Sequence, residues 1–256
     1  MVREPGSLSG EANVSAEVNG SPGLGSVRVA LASLSLLVVA VPFALLLVLV
    51  EGRWAPLLRI DVATDDALHA FAVDHDTFVN LMRLLSWSGS TTVWFVVYGA
   101  IAATLLVRGR LRLATFVVVT IAGSSLLNSF AKSAVDRARP ALADPVARAD
   151  GWSFPSGHAQ AAIVGYTVLV LLLVWVSPWP AIARWRWLIG VAAAVMILAI
   201  GFSRIALGVH YLSDVLGGYL LGAAWMLALV SAFGVLSRGR RARRVRGRRG
   251  WGVGRR

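Results

Sequence analysis

Three short stretches hold side chains that can do chemistry together. KSAVDRARP (132–140) offers Lys132 and Arg139, followed by Pro140; PSGH (155–158) offers Ser156, Gly157 and His158 behind Pro155; SRIALGVHYLSD (203–214) offers Ser203, Arg204, His210 and Asp214. Each stretch abuts the end of an apolar run, where an ionisable group is expensive to bury and is by default a functional candidate. Lys132 is the only lysine among 25 basic residues. A compact ammonium on a flexible stem suits a point contact with an oxyanion. Three cations and a helix start suit a group with several equatorial oxygens, and phosphate fits that description. His210, with Asp214 four residues on, suits a nucleophile whose ring is held in one tautomer. His158, at the mouth of an apolar run, suits an acid for the leaving group.

Spacing sets the expected geometry. Lys132 and Arg139 are two helical turns apart and are expected on one helix face, with Pro140 ending the helix after Arg139. His210 and Asp214 are expected to share one turn. Ser156 is the expected N-cap of the helix that follows, leaving the amides of Gly157, His158 and Ala159 free for an anion, with Gly157 allowing close approach to the backbone.

The elements that must position these residues are membrane spans. The chain has 256 residues, 57% hydrophobic and only 15% charged, where a soluble domain is about 25% charged. The apolar residues sit in blocks at 29–50, 91–107, 113–130, 159–176, 188–206 and 215–236, of the length that crosses about 30 Å of hydrocarbon. The fold class expected is all-α: a polytopic bundle of six transmembrane helices. Segment 64–85, with Leu68, Phe71, Phe78, Met82 and Leu85 at helical spacing, is expected to be one amphipathic helix lying along the interface. Its His69 and His75 are read as surface histidines. Residues 1–27 are expected to be a disordered tail, 28–236 the membrane domain and 237–256 an Arg-rich tail without a fold of its own.

Charge orients the bundle. Arg28, Arg108, Arg110, Arg112, Arg184, Arg186 and the tail all fall on one side of a six-span chain. The positive-inside rule makes that side cytoplasmic, so both termini are cytoplasmic and all three polar stretches extracytoplasmic, in a cell-membrane protein. The net charge of +12 is local, because 237–256 carries ten arginines and no acid. It reads as an anionic-lipid and topology anchor; one tryptophan, Trp251, is no stacking platform, and no nucleic acid is expected. The absence of cysteine excludes disulfides, thiolate catalysis and cysteine metal sites.

These residues resemble the type 2 phosphatidic acid phosphatase family, which shares its site with the vanadium haloperoxidases. The pattern K-x6-R-P appears as Lys132, Arg139 and Pro140. P-S-G-H appears as Pro155, Ser156, Gly157 and His158. S-R-x5-H-x3-D appears as Ser203, Arg204, His210 and Asp214, so eleven fixed positions match in order. The resemblance covers roughly 90–236 and not the tails. It implies that His210 attacks phosphorus to form a phosphohistidine, that Asp214 orients it, and that His158 protonates the leaving oxygen and then activates water. It also implies that Lys132, Arg139, Arg204, Ser156 and the Gly157 amide hold the phosphoryl oxygens. Side-chain cations then do what Mg²⁺ does elsewhere, so no metal or cofactor is expected. Asp136 and Arg137 are read as surface or salt-bridge residues. Ser203 either supports Arg204 or packs, and Gly218 and Gly222 form a packing GxxxG. Tyr166, Tyr211, Trp152 and Trp87 are read as interfacial aromatics, with lining of a lipid-headgroup entrance the alternative for Trp152 or Tyr211.

The function expected is a membrane lipid phosphatase acting on an isoprenyl (undecaprenyl-type) diphosphate, phosphatidic acid or phosphatidylglycerol phosphate. A lipid phosphotransferase using the same residues, a non-catalytic binder or transporter of lipid phosphates, and a vanadate-dependent peroxidase are the alternatives. Heavy use of Ala, Val, Arg and Gly with one lysine fits a GC-rich bacterial genome.

Overall fold

An apolar run in hydrocarbon must satisfy its own backbone, and a helix does so. The computed structural model describes residues 24–176 and 180–250, with side chains over 33–173 and 184–233. Among these residues every regular element is a helix: α1 (Leu24–Glu51), α2 (Ala55–Ala72), α3 (Asp76–Ser88), α4 (Thr91–Val107), α5 (Leu111–Val135), α6 (Gly157–Val176), α7 (Pro180–Ala206) and α8 (Leu212–Gly250). Among the described residues five stretches are long and apolar enough to cross a membrane: Ser33–Glu51, Asp76–Val107, Leu111–Val135, Arg184–Ala206 and Leu212–Phe233. α6 is apolar but shorter over its described side chains, Gly157–Leu173. Each expected apolar block thus falls within one helix. Most of the expected N-terminal tail, residues 1–23, lies outside the described residues, as does 251–256 of the C-terminal one. At the near ends helix replaces the expected tail: α1 starts at Leu24, and α8 runs on to Gly250. Arginine is a good helix former and 237–250 holds no proline, so α8 can run on despite Gly239 and Gly247.

α6 sits centrally and packs on α7, α8 and α5, while α1 lies along α8 and α4 along α5. The core gathers Trp94, Tyr98, Val117, Ile121, Val164, Val168 and Met226. Tyr166 belongs to this packing, edge-on to Trp94 at 5.0 Å between ring centres, and is not an interfacial aromatic as its sequence position suggested. Trp87 is exposed. Polar side chains clasp α5 to α6: Asn128 Nδ2 donates to Gln160 Oε1 (2.7 Å), and Gln160 Nε2 donates to Ser124 O and Oγ (both 2.9 Å). Such bonds hold helices together where lipid supplies no hydrophobic drive. At the far end of the bundle Arg112 Nη2 donates to Phe233 O (2.6 Å), tying the start of α5 to α8.

The GxxxG of α8 is packing, as expected. A Cβ on Gly218 would collide with Ser156 O and meet Ala159 Cβ at 3.0 Å; one on Gly222 would meet Gln160 O at 3.0 Å. Backbone here touches backbone, which only glycine allows. Because Ser156 N donates to Asp214 O (2.9 Å), this seam also fixes the position of the polar stretches. Gly218→Val is expected to lower the unfolding temperature in detergent sharply, by overpacking. Gly99→Ala, whose Cβ meets nothing within 4 Å, should not. Equal effects would contradict this packing.

The expected single amphipathic helix over 64–85 is corrected to two. α2 ends at Ala72 and α3 starts at Asp76, with His75 as N-cap residue and its Nδ1 2.7 Å from Phe71 O. Their faces do not simply lie along an interface. Val79 and Met82 are buried against Ala206, Leu207 and Val209 at the end of α7, with Phe78 and Leu85 beside them. α2 packs on α7 and α8 and buries Asp61 and Asp65. The pair caps the end of the bundle at which the three polar stretches meet.

Candidate active site

α5 delivers Lys132 from its last turn. Lys132 and Arg139 are not on one helix as the spacing predicted: α5 ends at Val135, and Asp136 turns the chain out with φ 49°, a left-handed conformation that aspartate tolerates. Both cations still converge, from helix and loop. Lys132 Nζ donates to Trp152 O, and Arg139 Nη2 donates to the same oxygen (3.3 Å) and to Asp150 O (2.9 Å). Arg139 Nε donates to Gly151 O (2.9 Å) and Nη1 to Val209 O (2.6 Å). These carbonyls fix the guanidinium so that Nη1 stands 3.2 Å from His210 Nε2.

His210 lies in the α7–α8 turn, where Gly208 takes φ 63°. Its Nδ1 stands 3.4 Å from Asp214 Oδ2, and the two side chains are 2% and 0% exposed. That is ion-pair range but long for a hydrogen bond. Asp214 Oδ2 also accepts from Tyr211 N (2.9 Å) and from Ser153 Oγ. The proton of a neutral His210 therefore belongs on Nδ1, facing the carboxylate, and leaves the Nε2 lone pair facing Arg139.

α6 begins at Gly157 with Ser156 before it, but Ser156 does not cap it by side chain: Ser156 Oγ is buried without a hydrogen-bond partner. A Cβ on Gly157 would meet Asn128 Oδ1 at 3.1 Å, so glycine here makes room for Asn128. His158 follows in the first turn of α6 and is partly exposed. α7 delivers Arg204, 8% exposed, whose Nη1 donates to Ser86 Oγ while its Nε is unpartnered. Ser203 Oγ donates to Ile200 O (2.6 Å) in its own helix and does not touch Arg204. Buried donors without partners are costly, and a site with Ser156 Oγ, the Arg204 Nε and the further cations Lys132 and Arg139 suits an oxyanion. Among the described residues no group of three His, Asp or Glu side chains is placed to hold a metal ion.

Electrostatics follow from burial. Burial pushes the His210 imidazole down to about 4; Asp214 pulls the other way, and Arg204 and Arg139 add to the lowering. Burial also lowers Arg139, opposed by Asp214 and Asp150. Arg137 is raised, because Asp214 and Asp61 more than reverse the cost of its burial.

The sequence assigns Asp61 nothing and gives Arg137 only a surface or salt-bridge role. Arg137 Nη1 donates to Asp214 Oδ1 and to Ser213 Oγ (both 2.6 Å), and Nη2 to Asp61 Oδ2 (2.8 Å). The salt-bridge reading of Arg137 thus holds, but the bridge is buried and reaches the His210 partner. Tyr211, read as an interfacial aromatic, lies 4.4 Å from the Arg137 guanidinium, ring face towards it. The one available signal was the position of Arg137 inside the first polar stretch; Asp61 had none.

The chain is similar in sequence and in fold to known proteins. The chain is 38% identical over 97 residues to phosphatidylglycerophosphatase B of Bacillus subtilis, covering 38% of this chain and 46% of that one. It is 31% identical over 155 residues to undecaprenyl-diphosphatase of Sulfolobus acidocaldarius, covering 57% and 66%. The matched stretches therefore span less than half of the first relative and about two thirds of the second. A solved transmembrane PAP2-type phosphatidylglycerolphosphate phosphatase from Bacillus subtilis has the same fold, with a TM-score of 0.69 at 24% identity over 76% of this chain and 94% of its own. The PAP2 superfamily profile matches residues 113–238, which include all three polar stretches. Through that region the chain belongs to the PAP2 superfamily.

Proposed function

We propose that this chain is an integral membrane lipid phosphatase of six spans, working through a phosphohistidine without a metal. The observation that carries the proposal is the buried His210, with Arg139 Nη1 3.2 Å from its Nε2, Asp214 at its Nδ1 and the charge of Arg204 beside it; the unpartnered Ser156 Oγ and Arg204 Nε support it. The substrate classes are those named for its relatives, phosphatidylglycerol phosphate and undecaprenyl diphosphate. The positive-inside rule puts the site on the extracytoplasmic face.

In the first step His210 Nε2 forms a bond to phosphorus and the bond from phosphorus to the leaving oxygen breaks. His158 gives that oxygen its proton. Asp214 stabilises the charge that develops on the ring. Lys132, Arg139, Arg204, Ser156 Oγ and the Gly157 amide hold the three equatorial oxygens, whose charge the site stabilises by position. In the second step His158 takes a proton from water, the water oxygen attacks phosphorus, the P–N bond breaks and phosphate leaves.

Purified protein assayed with lipid mono- and diphosphates in EDTA tests this reading. Phosphate release is expected without added metal; no release from any of them, or release only with Mg²⁺, overturns it. The same assay across pH tests the state of the nucleophile. Only the neutral imidazole attacks, so activity falls as pH drops through the His210 pKa. With that value at about 4, the acid limb of kcat/KM should lie well below 6.5 once the substrate's own ionisation, at about 6, is factored out. A limb at or above the ordinary histidine value of 6.5 would show that Asp214 outweighs burial and the two arginines, against the lowering expected here.

A further inference from the structure

The family match begins at residue 113, yet one carboxylate tied to the site comes from α2, well before it. Asp61 is 1% exposed. It accepts from Arg137 Nη2 (2.8 Å), from Ser213 N (2.9 Å) and from Ser213 Oγ (2.5 Å). Ser213 Oγ in turn accepts from Arg137 Nη1, which also reaches Asp214 Oδ1. A guanidinium presents its donors in a rigid fork, so fixing one side fixes the other. Asp214 thus has one oxygen for Arg137 and the other for His210.

We infer that Arg137, braced by Asp61 of α2 and Ser213 of α8, is a positioning residue that holds the Asp214 carboxylate with Oδ2 turned to His210. Asp61 is the second half of this device, because it divides the Arg137 charge between two carboxylates. Asp61, Arg137 and Asp214 together carry one net negative charge, and that charge faces the ring that becomes positive when phosphorus is attacked. A guanidinium paired with Asp214 alone would cancel the charge His210 needs. Mere attachment of α2 is a poor explanation, since apolar packing serves that purpose as well as a buried ion pair or better. The inference rests on the nucleophile role given to His210 above.

Opposite substitutions should move the acid limb of kcat/KM in opposite directions. His210 is faced by Asp214 of α8, Arg139 of the α5–α6 loop and Arg204 of α7. His158 of α6 is near enough to interact with His210 and with Lys132 of α5, and Asp61 and Asp65 of α2 are near Asp214. Asp61→Asn removes a negative charge and should move the limb to lower pH; Arg137→Gln removes a positive one and should move it up, each by about one pH unit. Both should lower kcat about 10- to 100-fold, the usual cost of losing a supporting partner, with KM little changed. Arg137→Lys keeps the charge without the fork and should restore the wild-type limb while kcat stays low. The substrate's own ionisation is common to all variants and cancels in the comparison. If Asp61→Asn does not fold, the Arg137→Gln and Arg137→Lys pair carries the test. Limbs that stay in place while activity falls would overturn the inference and mark the bridge as structural. A chain whose wild type releases phosphate and whose His210→Ala variant does not keeps the phosphatase reading in either case.

Discussion

His210→Ala should abolish phosphate release, by about four to six orders of magnitude, the scale on which removal of an enzyme nucleophile is felt. Nothing near His210 can take its place. His158 starts α6, on another element of the site, and Asp214 is occupied by Arg137, Tyr211 N and Ser153. The variant should still fold, because His210 Nδ1 makes no close hydrogen bond and the turn that holds the ring is fixed by backbone bonds, Leu207 N to Ser203 O (3.0 Å) and Val209 N to Arg204 O (3.2 Å). Substrate should still bind, since the cations and Ser156 remain. Retained turnover in the variant would remove His210 from the mechanism, and lost membrane expression would show it to be structural.

His158→Ala should cost about 100- to 10,000-fold on a lipid substrate, the range for general acid–base catalysis. The loss should depend on the leaving group. An alkoxide needs a proton as it departs, and a nitrophenolate does not, so the first step on p-nitrophenyl phosphate should be nearly normal. The second step still needs a base for water and should stay slow. A burst of nitrophenol followed by a slow steady rate is the expected trace. An equal loss on both substrates with no burst would deny His158 both roles.

The site was legible in the sequence to the extent that chemistry dictates residue type. For the proposed chemistry, a histidine with its carboxylate, cations beside apolar runs and a glycine at a helix start have few substitutes, so their types and order survive as a pattern. What the pattern could not show was where helices stop. α5 ends at Val135 through one aspartate in the left-handed region, with no glycine to announce it, and the turn at 73–75 likewise lacks both glycine and proline. Arg139 therefore reaches the site from a loop, although a helix would have suited its spacing. Asp61 was illegible for a different reason. An acid in RIDVATDD looks solvated until its partner is known, and that partner, Arg137, lies 76 residues away. Burial of a charge depends on tertiary pairing, which local pattern does not encode. The seam of Gly218 and Gly222 was legible because close helix contact leaves glycine no substitute.

The phosphohistidine is the central claim, and it can be trapped. Wild type and the two histidine variants are mixed with ³²P-labelled substrate, quenched within milliseconds into alkali, and the protein is counted. A phosphorus–nitrogen bond survives alkali and breaks in acid. Label that is stable to alkali and lost in acid is expected on the wild type, accumulating further in His158→Ala with an activated substrate and absent from His210→Ala. Active protein that never carries such label, or label that persists in His210→Ala, would contradict the account.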